Sequence, residues 1–126
     1  MSLLSPSLIL VGMLGLAPAP QTQKTCPQWE KALTLHGLPA KHFSSIMWRE
    51  SRCNPLAVNV NTKSRNDVGL LQINASWSTL TKQTCRTQKR TEVALLSPTC
   101  NLRVAGYLYQ NGGLRHWKNT NRKEKP

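Results

Sequence analysis

Residues 43–55 read Phe43-Ser44-Ser45-Ile46-Met47-Trp48-Arg49-Glu50-Ser51-Arg52-Cys53-Asn54-Pro55. Phe43, Ile46 and Met47 recur at helical spacing, and the next position on that stripe is Glu50. The pattern predicts a helix from about Pro39 to about Ser51, ended by Asn54-Pro55, with an acid where an apolar residue belongs. An acid on a buried stripe is desolvated and holds its proton to higher pH than a free side chain. Breaking a glycosidic bond asks for such a group, because the leaving oxygen must be protonated as an oxocarbenium-like transition state forms. The structural alternative is a carboxylate paired with Arg49, Arg52 or Arg103. The chain has five acids. Glu30, Glu92 and Glu124 read as solvated surface, which leaves Glu50 and Asp67.

Outward from this stretch the elements follow from local signals. Pro27 can open a short helix that Gly37 closes, with Trp29, Leu33 and His36 on one side. Residues 59–67 are polar and turn-rich, a loop or a small hairpin. Gly69-Leu70-Leu71-Gln72-Ile73-Asn74 is compact and apolar, and the basic stretch from Thr79 to Arg90 has no clear period. Ser97-Pro98 suits a helix start, with Leu102, Ala105 and Tyr109 on the inward stripe and Gly112-Gly113 at the end. Trp48 and Trp117 read as core. Cys26, Cys53, Cys85 and Cys100 allow three pairings. Cys26–Cys53 with Cys85–Cys100 is preferred, since each bridge ties a loop or helix end to the next element. A zinc site is disfavoured: no Cys-x-x-Cys occurs and His36, His42 and His116 lack ligand spacing. No metal or cofactor is expected.

One domain is expected, over residues 26–118. Leu8 to Leu16 is an apolar run followed by Ala17-Pro18-Ala19, read as an export signal over residues 1–19. The run is too short to span a membrane. No Lys or Arg precedes Lys24 and Pro20 follows Ala19, so the cleavage point stays open. Residues 119–126 read as a basic, unfolded tail. Four cysteines agree with export to an oxidising compartment. The 17 Lys and Arg against 5 acids give a net charge of +12, a field that concentrates polyanions near the surface.

Three stretches carry a resemblance. Trp48 to Pro55 looks like the catalytic motif of soluble lytic transglycosylases, and Gly69 to Asn74 resembles their second, Gly-Leu-Met-Gln-Ile-type motif. Asn101-Leu102-Arg103-Val104-Ala105, Tyr107 to Tyr109 and Gly113 to Trp117 are similar to the third. They stand in the family's order from about Cys26 to Trp117, and the cysteines beside the first motif resemble those of small secreted actinobacterial and actinophage members. The resemblance implies a mainly α (α+β) lysozyme-like fold, a helical bundle around a glycan cleft with a small hairpin or loop region and two disulfides. It implies cleavage of the β-1,4 bond between N-acetylmuramic acid and N-acetylglucosamine in peptidoglycan. Glu50 would be general acid and then base. Ser51 would hydrogen-bond near it, Gln72 would contact the sugar's N-acetyl group, and Tyr109, or Tyr107 in its place, would face Glu50. Gln72 and Asn74 could instead only satisfy backbone groups in a tight turn.

The product depends on the number of acids. Asp67 is the candidate second carboxylate for a hydrolase. In the related goose-type lysozymes an acid occupies the position matching Asn74, where this chain has an amide. The resemblance therefore favours the one-acid route to a 1,6-anhydro product over lysozyme-type hydrolysis. Other classes are a non-catalytic wall-binding protein and a cationic antimicrobial protein. Specific nucleic-acid binding is not expected, since no recognised motif accompanies the basic residues. A secreted or wall-associated monomer is expected, held on anionic wall polymers by its charge and with no membrane span after processing.

Overall fold

Pro27 lacks an N–H and fits the first turn of a helix, where none is needed. Pro27–Trp29 form a 3-10 turn that runs into α1 (Glu30–Leu35). Gly37, at φ +76°, reverses the chain in a conformation that favours glycine. The computed structural model describes residues 24–118. The expected export segment and basic tail lie outside the described residues.

The stripe read from residues 43–50 lies on α2 (Ala40–Ser51), where Phe43, Ile46, Met47 and Glu50 are all buried. The helix ends at Ser51, where the sequence places its end, and the turn before Asn54-Pro55 makes the stop. Arg52 and Cys53 both take left-handed conformations, with φ of 55° and 66°. Arg52 Nη1 donates to Trp48 O at 2.9 Å, and Cys53 is bridged to Cys26. Trp29 Nε1 donates to Cys53 O at 3.2 Å, so the first turn of the domain is pinned to the end of α2.

The chain then forms a small antiparallel sheet of order β1-β2-β3: β1 (Val58–Asn59), β2 (Asp67–Val68) and β3 (Ile73–Asn74). Val58 pairs with Val68, and Asp67 with both Asn59 and Asn74. The expected hairpin is present, and the Gly69 to Asn74 stretch adds a third strand. The basic stretch after Trp77 is helical: α3 (Ser78–Cys85) is followed by α4 (Thr91–Leu95). Thr81 is the one buried residue of α3, so no apolar period marks that helix in the sequence.

Ser97 caps α5 (Pro98–Gln110), its Oγ accepting from Cys100 N, as the Ser97-Pro98 pair predicts. A 3-10 turn, Gly113–Trp117, closes the described chain. Cys85–Cys100 ties the end of α3 to the first turn of α5. The core gathers Phe43 and Met47 of α2, Leu70 and Leu71 before β3, Leu95 of α4, and Leu102, Val104 and Leu108 of α5. Gly106 brings α5 against the α1–α2 connection: a Cβ there would stand 2.6 Å from the carbonyl oxygen of His36. The result is the mostly helical, disulfide-bridged architecture with a small sheet that the resemblance implies.

Candidate active site

Glu50 sits on the last turn of α2 and is 0% exposed. Of the three cations weighed as its partners, Arg49 is the one that pairs, with Nη2 3.1 Å from Glu50 Oε2, so the contact of the structural alternative is present beside the buried acid. Arg52 instead lies over the Trp48 ring, 3.8 Å from its centroid, and Arg103 is exposed. The same Nη2 of Arg49 donates to Trp117 O. Trp117 is buried, donates from Nε1 to Leu71 O at 3.0 Å, and sets its ring edge-on to Phe43 at 4.9 Å. One tryptophan thus fastens the helix of the acid, the turn of the second motif and the end of the third. Ser51, also buried, donates back to Met47 O at 3.2 Å and closes the helix. Trp117 is core, as the sequence suggests. Trp48 is not: it is half-buried, with Lys24 5.3 Å from its ring as well.

The second motif packs too tightly for any other residue at its head. Gly69 has φ +81°, and a Cβ there would stand 2.5 Å from Leu95 O. Gln72, at φ +52° and 1% exposed, accepts from Asn59 Nδ2 at 2.7 Å. It also donates to Ala57 O at 3.2 Å and Gly69 O at 3.1 Å. Its amide therefore holds the turn to β1. Asn74 donates to Arg65 O at 2.7 Å and to Asp67 Oδ1 at 3.0 Å, and accepts from Ser76 N. Asp67 is 5% exposed and faces Asn74 across the β2–β3 pair. Gln72 and Asn74 satisfy turn and sheet groups, as the bland alternative has it, and both also line a cavity of about 40 Å³ with Trp77, His116 and Trp117.

The third motif supplies two side chains of different kinds. Tyr109 is half-buried and meets Phe43 edge-on at 5.4 Å, so it packs on α2, two helical turns before Glu50. Tyr107 is 49% exposed and lines a different cavity, beside Trp77 and Gln83. Asn101 opens the third motif with no role assigned from the sequence, and it is fully buried. Its Nδ2 donates to Val68 O and Leu95 O, both at 2.9 Å, and its Oδ1 accepts from Leu71 N at 3.0 Å. A single amide brackets the second motif onto α5. Apart from its place in the motif, nothing in its surroundings marks it as more than one polar residue on a helix.

A second, larger cavity of about 700 Å³ runs along α2 beside Arg49, with Lys24, Lys41, His42, Ile46 and Trp48 in its lining. Two acids read as solvated are partly covered and ion-paired: Glu30 with Lys41 at 3.4 Å and Glu92 with Arg90 at 3.9 Å. A hydrogen bond from Ser44 lowers the pKa of Glu30; burial opposes it, and the Lys41 ammonium assists. Glu124 lies outside the described residues. Among the described residues no group of three or more His, Cys, Asp or Glu is placed to hold a metal ion, and no helix is long and apolar enough to cross a membrane.

Comparison with known proteins agrees with this arrangement. The family model described as the transglycosylase SLT domain matches residues 27–124, most of the chain. No curated protein and no solved structure matches the chain. The matched stretch holds the acid-bearing helix, the bracketed turn and α5. The chain belongs to the transglycosylase SLT domain family, whose members are glycan-cleaving lytic transglycosylases of peptidoglycan.

Proposed function

We propose that this enzyme cuts the β-1,4 bond between N-acetylmuramic acid and N-acetylglucosamine by a one-acid route, with Glu50 as acid and then base. Glu50 gives its proton to the glycosidic oxygen as the bond from that oxygen to C1 of the muramyl sugar breaks. The substrate's own N-acetyl group stabilises the cation developing at C1. The Glu50 carboxylate then takes the proton of the 6-hydroxyl, and that oxygen closes on C1. No water is consumed, and Glu50 ends as it began. Arg49 is placed to balance the negative charge that Glu50 carries between the two steps.

The observation that carries this reading is the contrast between the two acids. Glu50 is fully buried at the end of α2 beside Arg49, whereas Asp67 is tied into the sheet by the amide of Asn74. A side chain engaged in a strand pair is poorly suited to activating water. Gln72 and Asn74, whose amides are bonded within the fold, shape the wall of the small cavity next to Trp117, toward which the N-acetyl group is directed. Ser51 supports the helix end under Glu50, and Tyr109 packs on Phe43, two turns earlier on the same stripe. Tyr107 takes no part. The enzyme works outside the cell, at the wall where its substrate lies, as a monomer.

Digestion of purified peptidoglycan in ¹⁸O-labelled water tests the route. Mass spectrometry is expected to find unlabelled 1,6-anhydro ends. Reducing ends carrying ¹⁸O would make the enzyme a hydrolytic lysozyme with Asp67 as the partner acid.

A further inference from the structure

A further cavity, of about 290 Å³, shares no lining residue with those around Trp48 and Trp77. It opens where the chain leaves α3 and turns into α4. The Cys85–Cys100 bridge and Val93 form its apolar side, and Arg86, Thr87, Lys89 and Ser97 its polar side.

Its electrostatics are one-sided. Arg86 and Lys89 bring two cations, and no acid lines the cavity. Among the described residues neither cation meets a carboxylate, since the nearby Glu92 pairs with Arg90. The two hydroxyls add donors. Thr87 Oγ1 accepts from Lys89 N at 3.1 Å, and Ser97 Oγ accepts from Cys100 N at 3.3 Å. A hydroxyl oxygen that accepts a backbone N–H keeps its own proton to give. Arg86 stands at φ 53°, in the left-handed region, where glycine or asparagine is the ordinary helix end. A long cationic side chain is disfavoured there, and no ion pair within the described fold offsets it.

Two cations with two hydroxyl donors match a phosphate group, whose oxygens accept from several directions at once. The apolar side suits a short carbon chain between one phosphate and the next. No aromatic side chain lines the cavity, so nothing there stacks a nucleic-acid base. Val93 is its one exposed large aliphatic, too little to enter a bilayer.

We infer that this cavity holds a phosphodiester of an anionic polyol-phosphate polymer, an anchoring site separate from the one that cuts glycan. The inference goes beyond the cutting reading and stands without it. Full-chain protein is titrated by calorimetry, at physiological salt, with a glycerol-phosphate oligomer. Wild type is expected to bind saturably at one site. Arg86→Gln/Lys89→Gln is expected to bind about tenfold more weakly, the scale of two exposed charge contacts. Lys31→Gln/Lys63→Gln removes the same charge from exposed positions elsewhere and is expected to stay within twofold of wild type. Lys89→Glu, at an exposed position outside the left-handed turn, keeps the test open where the Arg86 change prevents folding, and is expected to abolish saturation.

Equal weakening by the two double variants would assign binding to net charge alone and overturn the inference. Tighter binding of a single-stranded DNA oligomer, or of phosphatidylglycerol vesicles, than of the glycerol-phosphate oligomer would overturn it as well. Cutting of polymer-free peptidoglycan is expected at the wild-type rate in every variant. A loss of cutting that tracks the loss of binding would make the cavity part of the glycan site and overturn the separation.

Discussion

Asn101 makes the strongest case for what one side chain does here. It is fully buried, and its three hydrogen bonds go to backbone groups of Val68, Leu71 and Leu95. Asn101→Leu leaves two carbonyls and one N–H without that partner. The expected loss is about 3 kcal/mol, or roughly 10–20 °C in Tm for a domain of this size, measured by thermal melting. A change within a degree or two would mean that the bracket is not what holds the second motif. At this scale the sequence is uneven. Glu50 is legible because an acid on an apolar stripe contradicts its neighbours. Asn101 is not, because a polar residue on a helix contradicts nothing, and its partners lie 6 to 33 residues away along the chain. Trp117 is legible as core, but its junction role is not, since its bonds to Arg49 and Leu71 join stretches 46 or more residues apart.

Among the elements, α2 and α5 can be read from periodicity, caps and breakers, and the hairpin from its turn residues. α3 and α4 cannot. Ser-Thr-Leu-Thr-Lys-Gln-Thr-Cys fully buries only Thr81, and the helix is held by a bridge to α5 with Leu80 alone as a partly buried aliphatic contact. The β3 pairing is equally hidden, because two residues carry no period. The junction of α1 with α2 has a testable electrostatic part. Ser44, buried on α2, accepts from Cys26 N at 2.7 Å and donates to Glu30 on α1. That bond, aided by Lys41, lowers the pKa of Glu30 from 4.5. A depressed carboxylate contributes stability above its unfolded value that is lost as pH falls through its folded value. The stability gap between wild type and Glu30→Gln is therefore expected to be full at neutral pH and to close below pH 4.5, measured by melting across pH. A gap that persists in stronger acid would remove this pair from the α1–α2 junction. His36 acts in a separate window: burial first, then Arg103, lowers its pKa from 6.5, so its contribution fades as pH falls below that value.

For the whole molecule, the net charge of +12 is expected to hold the enzyme near an anionic wall. A cationic enzyme stays near an anionic wall without any specific contact, and the attraction reaches only as far as salt allows. The screening length falls from about 8 Å at physiological salt to about 3 Å at 1 M. Retention on isolated walls is expected to drop several-fold over that range, measured by co-sedimentation. Retention unaffected by salt would assign wall binding to the glycan site alone. The charge and its consequence are plain in the composition. The sorting of that charge is not: three cations gather on one groove beside Arg49's carboxylate partner, while the cavity at Trp77 is lined by none.

The central claim is that one buried glutamate does both proton transfers. Glu50→Gln keeps the shape of the side chain and removes the acid. The variant is expected to fold, with melting close to wild type, and to clear a suspension of cell walls about a hundredfold to ten-thousandfold more slowly. A folded Glu50→Gln protein that clears walls at the wild-type rate would contradict the account.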